Sequence, residues 1–358
     1  MLINGQSSEQ LNLSWGVPQG SVLGPILFTI YTTPLANIIR KHGLTFHLYA
    51  DDTQLYLAFK PSSELSKLDA KDKLESCVED IRTWMSRNLL KLNDDKTEVI
   101  IITSKEKISS DQNISINVGG CDIHPSAEPP RNLGVLFDST CSLKYHVNKQ
   151  CKSLNFNIYK VGKIRKYLDR PTSEILVNSL FTSTLDYCNS LLYGVYDYQI
   201  AQLQRCQNSA ARVISLTRKF DHITHTLHDL HWLPVKFRIR YKMLLITYKS
   251  LNNQGPAYLK QLLEYRVPAR SPRLAERAGN DRCLKEPSYR LPTFGGRSFQ
   301  SAAPRLWNSL PDHLRHEQPG TNAQMKLDNF KRALKTHLFA EYYYNNANYC
   351  VEHLYTIC

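Results

Sequence analysis

The chain has 358 residues, of which 42% are hydrophobic, 10% aromatic and 22% charged, a balance that excludes a disordered or fibrous protein and suits roughly two or three folded domains. Its 45 Lys and Arg against 32 Asp and Glu leave +13, all of it on one side: residues 1–150 hold 15 basic and 17 acidic side chains, residues 151–358 hold 30 and 15. Such a C-terminal half expects a polyanionic partner, nucleic acid or a membrane surface. Nine cysteines with no CxxC pair exclude a disulfide framework, and the chain does not open on a basic segment followed by an apolar core. The expectation is a reduced, intracellular protein of the nucleus or cytoplasm, not a secreted one.

Asn4-Gly5 is a strong two-residue turn signal and opens the chain as a hairpin. Residues 10–39 carry no charge, but Pro18, Pro25, Pro34 and three glycines argue against a membrane span. From Val22 to Ile39 the pattern fits a buried helix broken by Pro25 and Pro34. Phe46 to Ala50 and Leu55 to Phe59 are strand-like and place Asp51-Asp52 at a hairpin tip. Ser62 or Ser63 can cap a helix whose apolar face runs Leu74, Cys77, Val78, Ile81, Trp84, Met85. Strands follow at Val99–Ile102, Ile114–Val118 and Leu133–Phe137, so residues 1–138 read as an α+β unit with an antiparallel sheet.

From Leu143 the pattern turns helical, over about 143–168, 172–193, 197–216, 235–252, 257–264, 298–310 and 325–340. Val267 to Pro292 is a Pro/Arg-rich connection that reads as irregular, and 342–358 forms a Tyr/Asn-rich tail without periodicity. Trp84, Trp232 and Trp307 read as core anchors. His222, His225, His228 and His231 recur every three residues; zinc accepts such ligands, yet no compact Cys/His pair accompanies them, so capping and surface roles are expected.

Two adjacent carboxylates on a hairpin tip repel, and either a divalent cation or plain solvation relieves them. Hard oxygens on rigid strands suit Mg²⁺, which keeps waters and meets phosphate oxygens. Exposed Asp-Asp turns also occur without a ligand. Lys160, Lys163, Arg165 and Lys166 crowd one helical stretch, with Arg205, Arg212, Lys236, Arg238, Arg240 and Lys242 adding charge and Tyr159, Tyr167 and Tyr241 interleaved. That composition suits nucleic-acid phosphates and bases, or a solvated face.

Tyr49-Ala50-Asp51-Asp52, preceded by Gly16-Val17-Pro18-Gln19-Gly20-Ser21-Val22-Leu23-Gly24-Pro25-Ile26-Leu27-Phe28, resembles the palm of reverse transcriptases, specifically those of non-LTR, LINE-type retrotransposons. The resemblance extends through Leu92 to Glu98, with Lys96, and Asn132-Leu133-Gly134-Val135. It reaches the C-terminal phrases Leu185-Asp186-Tyr187-Cys188-Asn189, His231-Trp232-Leu233-Pro234-Val235 and Ala303 to Pro311. It implies an RNA-directed DNA polymerase working on an RNA template and a DNA primer by two-metal nucleotidyl transfer, with Mg²⁺, or Mn²⁺ in its place, on Asp51 and Asp52. It further implies Lys96 as proton donor to pyrophosphate, Gln19, Gly20 and Tyr49 against template and nucleotide, and Leu133 and Gly134 as primer grip.

The implied architecture is a truncated palm over 1–138, a helical thumb-like region over 139–217, a helical C-terminal region over 218–341 with its loop at 267–292, and the tail. Only fifteen residues precede Gly16, and their single acid is Glu9. The first catalytic aspartate and the fingers are therefore expected to be missing and the chain to be inactive alone, with a non-catalytic RNA/DNA-binding remnant as the alternative.

Overall fold

The structure is a computed structural model and describes residues 2–3, 6–7, 17, 20–60, 62–104, 114–126, 128–266, 282–316 and 318–344. It mixes helices with small antiparallel hairpins, an α+β composition, and divides into two compact units, Met1–Pro130 and Arg131–Cys358.

In the first unit, β1 (Leu2–Ile3) pairs with β2 (Gln6–Ser7), the opening hairpin expected from sequence. The two prolines act at helix starts, where a missing N–H costs nothing. Pro25 sits in the first turn of α1 (Gly24–Thr32), and Pro34 is the N-cap of α2 (Leu35–Lys41). Burial of this stretch differs from expectation. Helix α2 buries Leu35 and Ile39, but α1 buries only Thr32 and leaves Ile26 and Ile30 54% and 65% exposed. Missing charge here does not mark a buried helix along its whole length.

Strands β3 (Thr45–Tyr49) and β4 (Asp52–Tyr56) form a two-residue hairpin in which Tyr49 pairs with Asp52. Helix α3 (Glu64–Arg87) starts at Ser63, whose hydroxyl accepts from the Ser66 N–H at 3.3 Å, and lays Cys77 and Ile81 against Leu35, Ile39 and Leu44. Strands β5 (Ile116–Val118) and β6 (Cys121–Ile123) make a separate hairpin. The single antiparallel sheet expected here is thus, among the described residues, a set of separate two-stranded pairs. Val99 contributes only an isolated bridge to Pro125.

The second unit begins with β7 (Arg131–Asn132) and β8 (Val135–Leu136). The expected palm reached residue 138, yet Val135 is buried in the helical core, so this hairpin packs with the helices C-terminal to it. Helix α4 (Lys144–Ile164) packs on α7 (Asp197–Ser215). Between them α5 (Arg170–Val177) runs through a π-helical turn, Asn178–Thr182, into α6 (Ser183–Asp186). Short α8 (Thr224–Asp229) precedes α9 (Val235–Leu251), and α10 (Ala257–Gln261), α11 (Phe299–Asn308), α12 (Asp312–Arg315) and α13 (Ala323–Tyr343) complete the unit.

Two apolar clusters hold these helices. In one, Phe181 stacks on Trp232 (6.3 Å, 9°) and the Tyr343 hydroxyl donates to the Trp232 carbonyl at 2.8 Å. In the other, Tyr248 stacks on Phe330 at 4.0 Å beside Trp307. Trp232 and Trp307 are core anchors, as expected from sequence.

Asp138 organises the turn that leads into α4. Its carboxylate accepts from the Thr140 hydroxyl (2.5 Å) and the Ser142 and Leu143 N–H groups (3.0 and 2.7 Å), the last two residues before the helix. Burial alone would raise its pKa, but these bonds outweigh it and hold the carboxyl below its ordinary value.

Part of the expected irregular loop is anchored. Leu284 is buried, the Asn308 side chain exchanges hydrogen bonds with its backbone at 2.8 Å, and Trp307 Nε1 donates to the Arg282 carbonyl at 3.0 Å. Residues 267–281 and 345–358 lie outside the described residues. No helix among the described residues is long and apolar enough to cross a membrane.

Candidate functional site

A two-residue β-turn needs positive φ at its first central position, and Ala50 supplies it at +52°. The turn is Ala50-Asp51, which makes Asp52 the first residue of β4, paired to Tyr49. Both aspartates are exposed, and neither has a hydrogen bond or ion pair with a described residue. Tyr49 stands beside them, 64% exposed. Unshared carboxylate oxygens held at adjacent positions of a paired hairpin are hard donors of the kind Mg²⁺ takes. Among the described residues no group of three His, Cys, Asp or Glu side chains gathers to hold a metal.

Lys96 ends a 3₁₀ turn, Asp94–Lys96, and is exposed. The turn is tied down by Arg82 of α3, whose guanidinium donates to both Asp94 oxygens at 2.5 and 3.1 Å. The Asp94 hydrogen bond raises the Arg82 pKa. The same guanidinium lies over the β5–β6 turn. A Cβ on Gly119 would sit 2.2 Å from Arg82 Nη2, so a side chain there would have to displace the guanidinium and adopt a strained left-handed backbone at φ +61°. The Arg82–Asp94 pair is not visible in the sequence, because its partners lie twelve residues apart with no local signature. Gly20 occupies a turn at φ +88° with open space around it, while Gln19 lies outside the described residues.

In the second unit, Leu133 (φ +44°) and Gly134 (φ +86°) form the β7–β8 turn, both left-handed as a tight hairpin turn demands. Tyr187 braces it: its hydroxyl donates to the Leu133 carbonyl at 2.6 Å, and its ring would meet a Cβ on Gly134 at 3.3 Å. Tyr187 belongs to the phrase at 185–189, but only the fold shows what it touches.

Helix α4 buries Val147, Leu154, Ile158 and Val161 on one face and presents cations on the other. Lys160 lies over the Phe156 ring (4.4 Å), Lys163 over Tyr159 (4.7 Å) and, just beyond the helix, Lys166 over Tyr167 (4.7 Å). Phe156 and Tyr159 are 56% and 58% exposed, which is costly for rings of this size without a partner. Phe156 is not among the residues expected from sequence, although the four-residue spacing from Phe156 to Lys160 and from Tyr159 to Lys163 announces it.

Arg165 does not belong with these cations. It is 9% exposed, and its guanidinium donates to the Val213, Ile214 and Leu168 carbonyls at 2.9, 2.8 and 2.6 Å. It closes the C-terminal end of α7, where the helix dipole favours a cation, and has no face left for a phosphate. Other expected basic residues are also engaged within the fold: Arg238 with Asp186 (2.8 Å), Arg240 with both Glu341 oxygens (2.6 and 3.1 Å), and Arg212 with the Arg218 and Asp221 carbonyls. His228 and His231 pack against Phe339 at 5.2 and 5.8 Å.

Residues 1–158 match the family described as reverse transcriptase (RNA-dependent DNA polymerase). The chain is similar to the probable RNA-directed DNA polymerase from transposon BS of Drosophila melanogaster, 25% identical over 298 residues, covering 76% of this chain and 30% of that protein. It is similar also to the RNA-directed DNA polymerase from mobile element jockey of the same species, at 24% over 208 residues (56% and 21%). A third relative, the probable RNA-directed DNA polymerase from transposon X-element of that fly, is 25% identical over 228 residues (62% and 24%). The chain spans less than a third of the length of these curated relatives. No solved structure matches it.

Proposed function

We propose that this chain is part of a retrotransposon RNA-directed DNA polymerase and carries one half of a two-metal nucleotidyl-transfer site. The observation that carries the reading is the pair of unshared carboxylates, Asp51 and Asp52, on a rigid two-residue hairpin within the stretch that matches the reverse transcriptase family. In this reading the hairpin is palm and the helices from Lys144 onward are thumb and C-terminal region.

Asp51 and Asp52 would hold Mg²⁺ or Mn²⁺. When bound, such ions activate a primer 3′-hydroxyl and neutralise charge on the phosphate under attack. A pair of ions about 3.5–4 Å apart needs a carboxylate from a second strand. Among the described residues no third acid joins these two, so transfer requires a further segment that supplies it. Lys96 donates a proton to pyrophosphate, held in place by Arg82 through Asp94. Gly20 and Tyr49 face template and nucleotide, as would Gln19. Leu133 and Gly134 position the primer end with Tyr187 as their brace. Phe156, Tyr159, Lys160 and Lys163 receive the RNA template and DNA primer, rings against bases and ammonium groups against phosphates.

The test is Mg²⁺-dependent primer extension on an RNA template by the full chain mixed with the upstream part of the transposon BS relative. Extension is expected only in the mixture, and Asp51→Ala abolishes it. Extension that survives Asp51→Ala, or a mixture that never extends, overturns the reading and leaves a binding remnant.

A further inference from the structure

Two phrases of the sequence, at 185–189 and 231–235, are brought together by the fold through contacts separate from the one Tyr187 makes with the Leu133-Gly134 turn. Arg238, on the first turn of α9, donates through one nitrogen to Asp186 Oδ2 at 2.8 Å and through Nε to the Leu233 carbonyl at 2.9 Å. Asn189 Nδ2 completes the junction by donating to Asp186 Oδ1 at 3.2 Å. Between this junction, α9 and α13 lies a cavity of about 330 Å³. That volume holds a small ligand of nucleotide size and excludes a duplex.

The charge inside it is unbalanced. Asp186 is matched by Arg238. Lys242, one turn further along α9, and Lys335 of α13 also line the cavity, and neither has an ion-pair partner among the described residues. Partial desolvation of its ammonium and the positive charge of Arg238 push the Lys335 pKa down, although the side chain as a whole is exposed. On the same wall Asn189 is buried, and its Oδ1 has no hydrogen-bond partner among the described residues. Its Nδ2 already faces a carboxylate, which leaves Oδ1 a buried acceptor without a donor among the described residues. Burial and the Asp186 charge raise the Tyr241 pKa, so this phenol at the rim stays a neutral donor. Two unmatched cations, an orphaned acceptor and a half-buried ring are the complement of a phosphate attached to a sugar and a base.

We propose that this cavity binds one nucleotide unit of a single-stranded nucleic acid, with its phosphate between Lys242 and Lys335. The proposal stands on the cavity itself and holds whether or not Asp51 supports transfer. A strand is favoured over a free nucleotide because the whole second half of the chain is basic, which suits a polyanion threading past the pocket.

The test uses the full chain and a fluorescein-labelled 12-nucleotide oligouridylate, its anisotropy titrated at several KCl concentrations. The Lys242→Gln/Lys335→Gln variant is expected to bind more weakly, with a log–log salt slope shallower by about 0.7, the share of one phosphate on a single strand. The Lys242→Arg/Lys335→Arg variant restores the slope. An unchanged slope in a Gln variant with wild-type circular dichroism overturns the strand assignment. If adenosine 5′-monophosphate then raises the wild-type Tm and not that of the variant, the phosphate site stands and its ligand is a free nucleotide. If it raises neither, the site is overturned entirely. Should the double variant fail to fold, Lys335→Gln alone, exposed on α13, is read against the same outcomes.

Discussion

The two units carry their chemistry differently. In residues 1–130 the side chains proposed for function stand on a hairpin and a 3₁₀ turn, in a unit whose small buried cluster is Leu35, Ile39, Leu44, Cys77 and Ile81. In residues 131–358 only Leu133 and Gly134 among them sit on a hairpin turn, and the cations stand on or beside helices whose opposite faces fill two much larger clusters among the described residues. The difference teaches where a mutation registers. A carboxylate on a hairpin with no partner among the described residues is expected to cost function and not stability when removed, whereas a cation among packed helices can be holding the fold, and its charge alone does not say which.

Arg165 offers the sharpest break. Arg165→Ala leaves three helix-end carbonyls without their charged donor and is expected to cost about 3 kcal/mol, read by urea unfolding. A loss of nucleic-acid affinity at unchanged stability would return Arg165 to the binding surface.

Asp138 comes next, and its effect depends on pH. Its folded pKa is depressed, so its stabilisation is complete above the ordinary carboxylate value of about 3.9 and is lost as pH falls through the lower folded value. Asp138→Asn is expected to cost about 1–2 kcal/mol at neutral pH and to flatten the acid limb of Tm against pH. A variant that keeps the wild-type acid limb would show that this carboxylate does not set it.

The exposed α4 cations should behave in the opposite way. Lys160→Gln/Lys163→Gln is expected to leave Tm unchanged and to make the salt dependence of oligonucleotide binding shallower by about 1.4, two phosphates' worth on a single strand. Equal slopes would reduce the stripe to a solvated face. The smallest effect on stability belongs to Asp51→Ala, within about 0.5 kcal/mol of wild type, because the side chain is exposed with no described partner.

Much of this is legible in the letters. The helix starts at Ser63 and near Asn322 follow from capping chemistry, since a short side-chain oxygen satisfies a free helical N–H wherever it stands. The paired aspartates, Lys96 and the Leu133-Gly134 turn are legible because each depends on a few consecutive residues. Burial of α1 is not, since apolar composition states what a helix could cover and not what covers it. The β-pairing is not legible either, because strand propensity does not choose a partner.

What the sequence alone determined is therefore local: which segments coil or turn, where two carboxylates stand side by side, and which half of the chain is positive. The tertiary structure decided which cations remain available. It buried Arg165 against the end of α7, paired Arg238 with Asp186 across 52 residues, and left Lys242 and Lys335 facing a common cavity. Charge is a property of a residue, but whether a charge is already neutralised depends on neighbours that only folding brings near.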